Sequence, residues 1–263
     1  VLSTIGGDFA PVRGEGVLPQ ELQKLDRMRN GKKTPFDEVD RRGRELLKEH
    51  ASPEKQGEIY YHLADVHGQS GMVHPELVIE YAQRALECPL DPTKRLRLYL
   101  YWGDALMIGN QHIAKGERKP FPDIRTMAAA PYLEGLKSAQ KYHIPKEKPE
   151  LPALDAYDVP ENSPFYGKVK EKSDRQTAAR KQAKIEQELW DNRRILTGQI
   201  VDIYTRKPHA ATELRQLATK ILEDPAAVDS LMKLIEEKGA LKDDPIEKNQ
   251  QGPKGPPPSG HSW

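Results

Sequence analysis

The 263-residue chain carries 41 basic and 40 acidic side chains, and its net charge of +1 excludes an overall electrostatic attraction to nucleic acid or to an anionic membrane. Hydrophobic residues make up 37% and charged residues 31%, a polar balance that favours a thin helical array over a thick globule. The single cysteine, Cys88, excludes an intramolecular disulfide and a cysteine-based zinc cluster.

The N-terminal part is predicted to be a lead-in followed by two helices. Residues 1–18 are rich in glycine and proline, which is typical of a flexible segment. Apolar side chains then recur at helical spacing from Pro19 to about Arg29, where an Asn-Gly pair ends the pattern. A second apolar stripe between charged residues predicts another helix from Thr34 to about His50.

Residues 54–92 indicate two helices that are joined by a glycine-containing turn and closed by proline. Apolar or aromatic side chains share one face of each helix: Tyr60, Leu63, Ala64 and His67 in the first, and Val78, Ile79, Ala82, Ala85 and Leu86 in the second. This pair resembles a tetratricopeptide repeat, whose first helix carries an aromatic residue, a leucine, a small residue and an aromatic residue at these positions. His67 stands where the family has an aromatic ring, and the turn is about two residues longer than a unit of ~34 residues allows.

A second copy of the pattern begins at Tyr99, 39 residues after Tyr60, and carries an insertion. Its first helix repeats the spacing of the first copy with Tyr99, Trp102, Gly103 and Leu106. A loop from about Gly109 to Arg125 then delays the second helix, which is predicted over 128–142.

A proline-rich segment at 145–167 is predicted to be an extended linker, because its prolines are incompatible with a helix interior or a central strand. Beyond it, apolar side chains recur among many charges and predict one long helix from Lys168 to Tyr204. Residues 245–263 have low complexity and are predicted to be a disordered tail.

The end of the long helix overlaps a third copy, over 200–225, that keeps the repeat spacing without an insertion. A last helix, 226–238, suits the cap that a stacked array needs at its end. The predicted fold is therefore all-α, with antiparallel helix pairs in an α-solenoid-like array. Two pairs lie in the N-terminal helical region, 19–144, and the third pair and its cap lie in 168–244.

The tetratricopeptide resemblance implies a protein-interaction scaffold that binds a protein or peptide on the concave surface of the first helices. Polar residues between the core positions of those helices are expected to face this surface: Tyr61, Asp65, Tyr101 and Asp104. Core packing is the favoured interpretation for Tyr60, Tyr99 and Trp102, which occupy packing positions. For Tyr61 and Tyr101, groove binding and core packing both stay open.

The sequence contains no nucleophile elbow, zinc-protease motif, phosphate-binding loop or dinucleotide fingerprint. We therefore expect a protein that is not an enzyme and that has neither a cofactor nor a metal ion. One cluster, His62, His67, His74 and Asp65, raises the question of a metal site. His62 and His67 are five residues apart and point about 140° away from each other on a helix, whereas paired ligands favour a spacing of three or four.

Basic residues cluster in 115–119 and 168–184, but interspersed acidic residues favour a solvated surface over nucleic-acid binding. No run approaches the ~20 apolar residues of a membrane span. We expect a soluble chain, cytoplasmic or exported after removal of a leader, since the sequence begins at Val1. Alternatives to the scaffold are a structural subunit of a larger complex and, less favoured, a helical metal-binding or enzymatic domain. The partner and the oligomeric state stay open.

Overall fold

A computed structural model describes residues 17–30, 36–69, 74–114, 124–154, 163–205 and 211–242 of the chain. These ranges contain nine helices and no strand, which confirms the prediction of an all-α protein. The helices are α1 (Val17–Asn30), α2 (Phe36–Glu49), α3 (Pro53–Gln69), α4 (Pro75–Leu86), α5 (Pro92–Ala114), α6 (Ile124–Gln140), α7 (Tyr166–Thr205), α8 (Ala211–Leu222) and α9 (Pro225–Lys242). None of these nine described helices combines the length and the apolar character that crossing a membrane requires.

Proline and short polar side chains set the starts of several helices. Proline occupies the first position of α3, α4, α5 and α9, where its missing N–H group has no intrahelical partner to lose. Side-chain oxygens that accept a backbone N–H group cap three of these starts: Ser52 from Lys55 at 3.3 Å, Asp91 from Lys94 at 3.0 Å and Asp224 from Ala226 at 3.0 Å.

The boundaries differ from the sequence prediction on both sides of the insertion. Helix α5 continues through Gly109 to Ala114, where a loop was predicted. A single glycine costs a helix only about 1 kcal/mol, and the neighbouring Ile108 packs on a small core cluster. Helix α6 begins at Ile124 and contains Pro131, whereas the predicted start at Ala128 would place this proline in the first turn.

Several predicted segments lie outside the described residues. They are the lead-in up to residue 16, the basic stretch 115–119 and the tail 245–263.

The helices pack mostly on their neighbours in the sequence. Contacts join α1 to α2 and continue pair by pair to α7, and α8 packs on α9. Each odd-numbered helix also packs on the next odd-numbered helix, so that α1, α3, α5, α7 and α9 form a second series of contacts. Helix α8 packs on α6 as well as on α9.

Two hydrophobic cores share α5. The N-terminal core is built from α1 to α5 and includes Leu98, whereas the C-terminal core is built from α5 to α9 and includes Leu96 and Leu100. All three leucines are buried. Since residues two apart on a helix point to well-separated directions, α5 contributes one face to each core.

An extended segment, residues 145–152, runs along α7 in the opposite direction, and we call it the strap. Side chains of α7 donate hydrogen bonds to strap carbonyl groups: Arg193 to Pro145 at 2.9 Å, Trp190 to Lys146 at 3.2 Å, Gln187 to Pro149 at 2.6 Å and Arg180 to Pro152 at 3.5 Å. The strap is therefore held on α7 by hydrogen bonds that its backbone carbonyl groups accept.

Candidate functional site

A row of polar pairs connects α3 with α5 on the surface where the peptide-binding residues were predicted. Three donors on α5 meet acceptors on α3, and each pair is separated by 36 residues: Lys94 with Glu58 at 2.5 Å, Arg97 with the Tyr61 hydroxyl at 3.3 Å, and the Tyr101 hydroxyl with Asp65. We call this set the α3–α5 row. Its constant separation shows that the two helices run side by side in a fixed register.

Tyr61 belongs both to this row and to the N-terminal core. Its side chain is only 7% exposed, and its ring lies 5.5 Å from the Lys94 ammonium group. Burial raises the pKa of Tyr61, and the neighbouring Arg97 lowers it in part. The aromatic ring therefore packs inside while the hydroxyl accepts a hydrogen bond at the edge.

Asp65 and Tyr101 form a partly buried pair. Asp65 is 9% exposed and also accepts a hydrogen bond from Gln69 at 2.6 Å. Burial, and then the hydrogen bond to Asp65, raise the pKa of Tyr101 above its ordinary value. The Tyr101 hydroxyl therefore stays protonated and donates a hydrogen bond to Asp65.

Asp104 lies apart from the other three predicted residues, on the side of α5 that faces α6. It accepts a hydrogen bond from the Tyr132 hydroxyl at 2.5 Å, and burial raises the pKa of its carboxyl group. Gly103 makes room for this contact, because a Cβ atom there would lie 2.2 Å from Cε1 of Tyr132. The structure thus brings Tyr61, Asp65 and Tyr101 together and places Asp104 elsewhere.

The aromatic residues that were expected to pack in the core do so. Tyr60 and Trp102 are partly buried against the N-terminal core, and Tyr99 is partly buried against the C-terminal core.

The histidines of the suspected metal cluster separate into two places. His62 lines a pocket beside α1 with Leu18 and Leu22. His67 is buried among aromatic rings, and His74 lies 6.4 Å from it. In the part of the chain that the structure describes, no group of three or more histidine, cysteine, aspartate or glutamate side chains is arranged to hold a metal ion.

His67 is the most isolated buried polar group of the N-terminal core. Its ring lies 5.8 Å from Phe36 and 5.9 Å from Tyr81, and its Nε2 atom makes no hydrogen bond. The nearest carboxylate oxygen, Oδ1 of Asp40, is 3.8 Å away and accepts a hydrogen bond from Tyr81. Burial lowers the pKa of His67, and Asp40 opposes this effect only in part. The imidazole is therefore neutral in the fold.

A cleft of about 700 Å³ opens between α6, α7, α9 and the end of α8. We call it the apolar cleft, because leucines from α6, α8 and α9 line it: Leu136, Leu222, Leu231 and Leu234. Sequence reasoning missed this site. Its walls come from separate segments, 136–142, 193–197 and 222–234, and the last helix was interpreted as the cap of the array.

A smaller pocket of about 280 Å³ adjoins the apolar cleft and shares Arg193, Thr197 and Leu234 with it. We call it the basic pocket, because four of its side chains are cationic: Lys146, Arg193, Arg194 and Lys238. Within the described residues, no carboxylate forms an ion pair with any of the four. Trp190 forms another wall, and the Arg194 guanidinium lies 5.8 Å from its ring.

No protein-family model matches the chain, and neither a curated protein nor a solved structure is significantly similar to it. The comparisons therefore assign no family, and the structure shows that the described residues form nine helices packed mostly on their neighbours in the sequence.

Proposed function

We propose that the chain is a protein-interaction scaffold and that its partner binds in the apolar cleft. The observation that carries the proposal is the cleft itself, which is open to solvent and lined mainly by apolar side chains. Concave sites of several hundred Å³ with mainly apolar walls and a few polar groups are common binding sites. We propose neither a catalytic activity nor a cofactor for this chain.

The tetratricopeptide-like description of the scaffold belongs to the same proposal. It is supported by the contacts between successive odd-numbered helices, which a stack of helix pairs requires. The 36-residue separation along the α3–α5 row is also close to the ~34 residues of a tetratricopeptide unit.

The α3–α5 row, with Tyr61, Asp65 and Tyr101, is the second surface of the proposal, and Asp104 completes the predicted set. All four side chains already have partners: Tyr61 accepts a hydrogen bond from Arg97, Asp65 from Tyr101, and Asp104 from Tyr132. A ligand there would have to replace these hydrogen bonds. For this reason we assign the main contact to the apolar cleft. The second surface is tested with Tyr61→Ala and Tyr101→Ala variants that keep the helical circular dichroism of the wild type. Their capture of the partner is compared with that of the wild-type chain.

Site-specific photo-crosslinking tests the main proposal. Ser230 is exposed on α9 at the cleft, whereas Lys233 is exposed on the same helix outside it. A benzoylphenylalanine at position 230 should crosslink a discrete protein in extracts of the native host, and the same group at position 233 should not. Identical crosslinking patterns at the two positions would rule out the cleft as the binding surface.

A structural subunit of a larger assembly is the second proposal. It is favoured by the first half of α7, because no side chain from Tyr166 to Glu188 is buried in the described structure. Gel filtration of the native protein and of the recombinant chain tests this proposal. A native particle that is much heavier than the recombinant chain and keeps a fixed stoichiometry would support a permanent subunit. A transient adaptor should instead elute at the same mass from both sources.

A further inference from the structure

One face of α9 connects the apolar cleft with the basic pocket. Ala227, Leu231 and Leu234 line the cleft, Leu234 also lines the basic pocket, and Lys238 follows one turn later. From Ala227 to Lys238 the helix rises about 16 Å, which equals the length of about five extended residues. The two pockets therefore form one continuous binding surface with an apolar end and a cationic end.

The charges of this surface are separated along its length. The cations Lys146, Arg194 and Lys238 come from the strap, α7 and α9, and all three are exposed. The acidic residue that lines the apolar end, Asp224, already accepts the N–H group of Ala226 at the start of α9. A ligand with carboxylates would thus find compensating charge at one end and little repulsion along the rest.

We infer that the partner presents a short protein segment in which bulky apolar side chains are followed by two or more acidic residues. The inference rests on the proposed function and specifies the chemistry of the partner. The apolar side chains fill the cleft beside Leu231 and Leu234, and the carboxylates bind Arg194 and Lys238, with Arg193 between the two ends. A fatty acid fits less well, because it carries one carboxylate and the exposed cations come from three separate elements.

Peptide selection tests this inference directly, because it requires no identified partner. The probe is a library of random twelve-residue peptides displayed on phage, selected on the intact chain. The selected peptides should be enriched in leucine-like side chains next to aspartate or glutamate. Their affinity, measured by fluorescence anisotropy of the synthetic peptides, should fall as the salt concentration rises.

Two variants and two matched controls assign the binding to each end of the surface. Ser230→Trp fills the apolar cleft, and the Arg194→Glu, Lys238→Glu double variant reverses the charge of the basic pocket. Each should weaken peptide binding about tenfold or more. Lys233→Trp, and Lys181→Glu with Lys184→Glu, place the same changes at exposed positions outside the surface and should leave binding unchanged.

The outcomes separate the inference from the proposed function. Suppose that peptide binding is weakened by Ser230→Trp, but the peptides are not enriched in acidic residues or bind the charge-reversal variant as tightly as the wild type. This result overturns the inference and leaves the scaffold proposal standing. If no selected peptide depends on Ser230, both are overturned. A fatty acid that co-purifies with the wild-type chain but not with Ser230→Trp assigns the surface to a lipid. A dimer of the free chain that Ser230→Trp dissociates assigns it to a second copy.

Discussion

His67 is a buried imidazole that must stay neutral, and this has a consequence for stability at acid pH. In the fold its pKa lies below the value of 6.5 that it has in the unfolded chain. As the pH falls below about 6.5, the unfolded chain binds a proton before the folded chain does, so the free energy of unfolding decreases. Each unit by which the pKa is lowered is worth about 1.4 kcal/mol.

We therefore expect the His67→Phe variant to lose part of the pH dependence of stability between pH 7.5 and pH 5. Urea titrations followed by circular dichroism measure this directly. The exposed His143 provides the control, and His143→Gln should retain the wild-type profile. A His67→Phe profile that is parallel to that of the wild type would show that His67 does not cause the acid sensitivity.

Gly103 provides a second prediction, because its hydrogen faces the ring of Tyr132. A Cβ atom there would overlap Cε1 at 2.2 Å, and Tyr132 is held by its bond to Asp104 and by complete burial. We expect Gly103→Ala to lower the free energy of unfolding by roughly 1–3 kcal/mol. Gly198→Ala is the matched control in α7, where nothing lies within 4 Å of the added Cβ atom.

The control should stabilise the chain by roughly 0.5–1 kcal/mol, since alanine restricts the unfolded chain more than glycine does. Chemical denaturation of the two variants measures both effects. Equal and small changes for Gly103→Ala and Gly198→Ala would mean that Tyr132 moves aside at little cost.

The spacing of the apolar and aromatic residues around Tyr61 and Tyr101 predicted the helices on which they lie, but not the groups that they contact. Asp65 and Tyr101 meet only because α3 and α5 run side by side in one register. That register depends on which side chains interlock across the interface, and a single sequence does not specify it.

At the scale of the elements, helical periodicity predicted most helices, because each carries an apolar stripe of its own. The long helix predicted over 168–204 and the last helix predicted over 226–238 correspond to α7 and α9, with ends that differ by a few residues. The end of α5 was missed because Gly109 and the prolines beyond it are typical of a loop. In the fold, tertiary packing beside Gly109 outweighs this local preference.

The strap provides the prediction for this scale. Gln187 and Trp190 donate two of the hydrogen bonds that hold it on α7, and each is worth roughly 0.5–1.5 kcal/mol. In a Gln187→Ala, Trp190→Phe variant we expect trypsin to cleave after Lys146 at least about fivefold faster, because the strap opens more often.

Intact-mass spectrometry over a digestion time course measures the cleavage rate. Gln182→Ala is the matched control, because Gln182 donates to Glu186 on the same helix and not to the strap. Equal cleavage rates for the double variant and this control would show that other contacts hold the strap.

The whole molecule has two hydrophobic cores that are connected by α5. This arrangement predicts that each core can be destabilised without an equal loss of stability in the other. Leu63 is fully buried in the N-terminal core, and Leu196 is fully buried in the C-terminal core. Replacing either leucine by alanine should cost roughly 2–5 kcal/mol. Since α5 connects the cores, we expect Leu63→Ala to accelerate amide hydrogen exchange in α2–α4 more than in α8–α9, and Leu196→Ala to do the opposite.

Hydrogen-exchange mass spectrometry with helix-level peptides checks this prediction. Uniform acceleration along the whole chain in both variants would show that the two cores unfold as one cooperative unit.

The sequence predicts the helical class well at this scale but not the apolar cleft. Leu136, Arg193 and Leu231 approach one another across three helices, and no local pattern shows that the space between them stays open. The cleft depends on how closely separate helices approach one another, whereas the periodicity of a sequence indicates only which face of a single helix is apolar.

The strap also affects how the molecule behaves at high concentration. Leu151 and Leu154, in and just beyond the strap, are 40% and 49% exposed, and extended backbone with exposed leucines is a common start for aggregation. Pro145, Pro149 and Pro152 have no N–H group, and several strap carbonyl groups already accept bonds from α7. A second extended chain would therefore find fewer donors and acceptors to pair with, and we expect the strap to resist strand addition although its leucines are exposed.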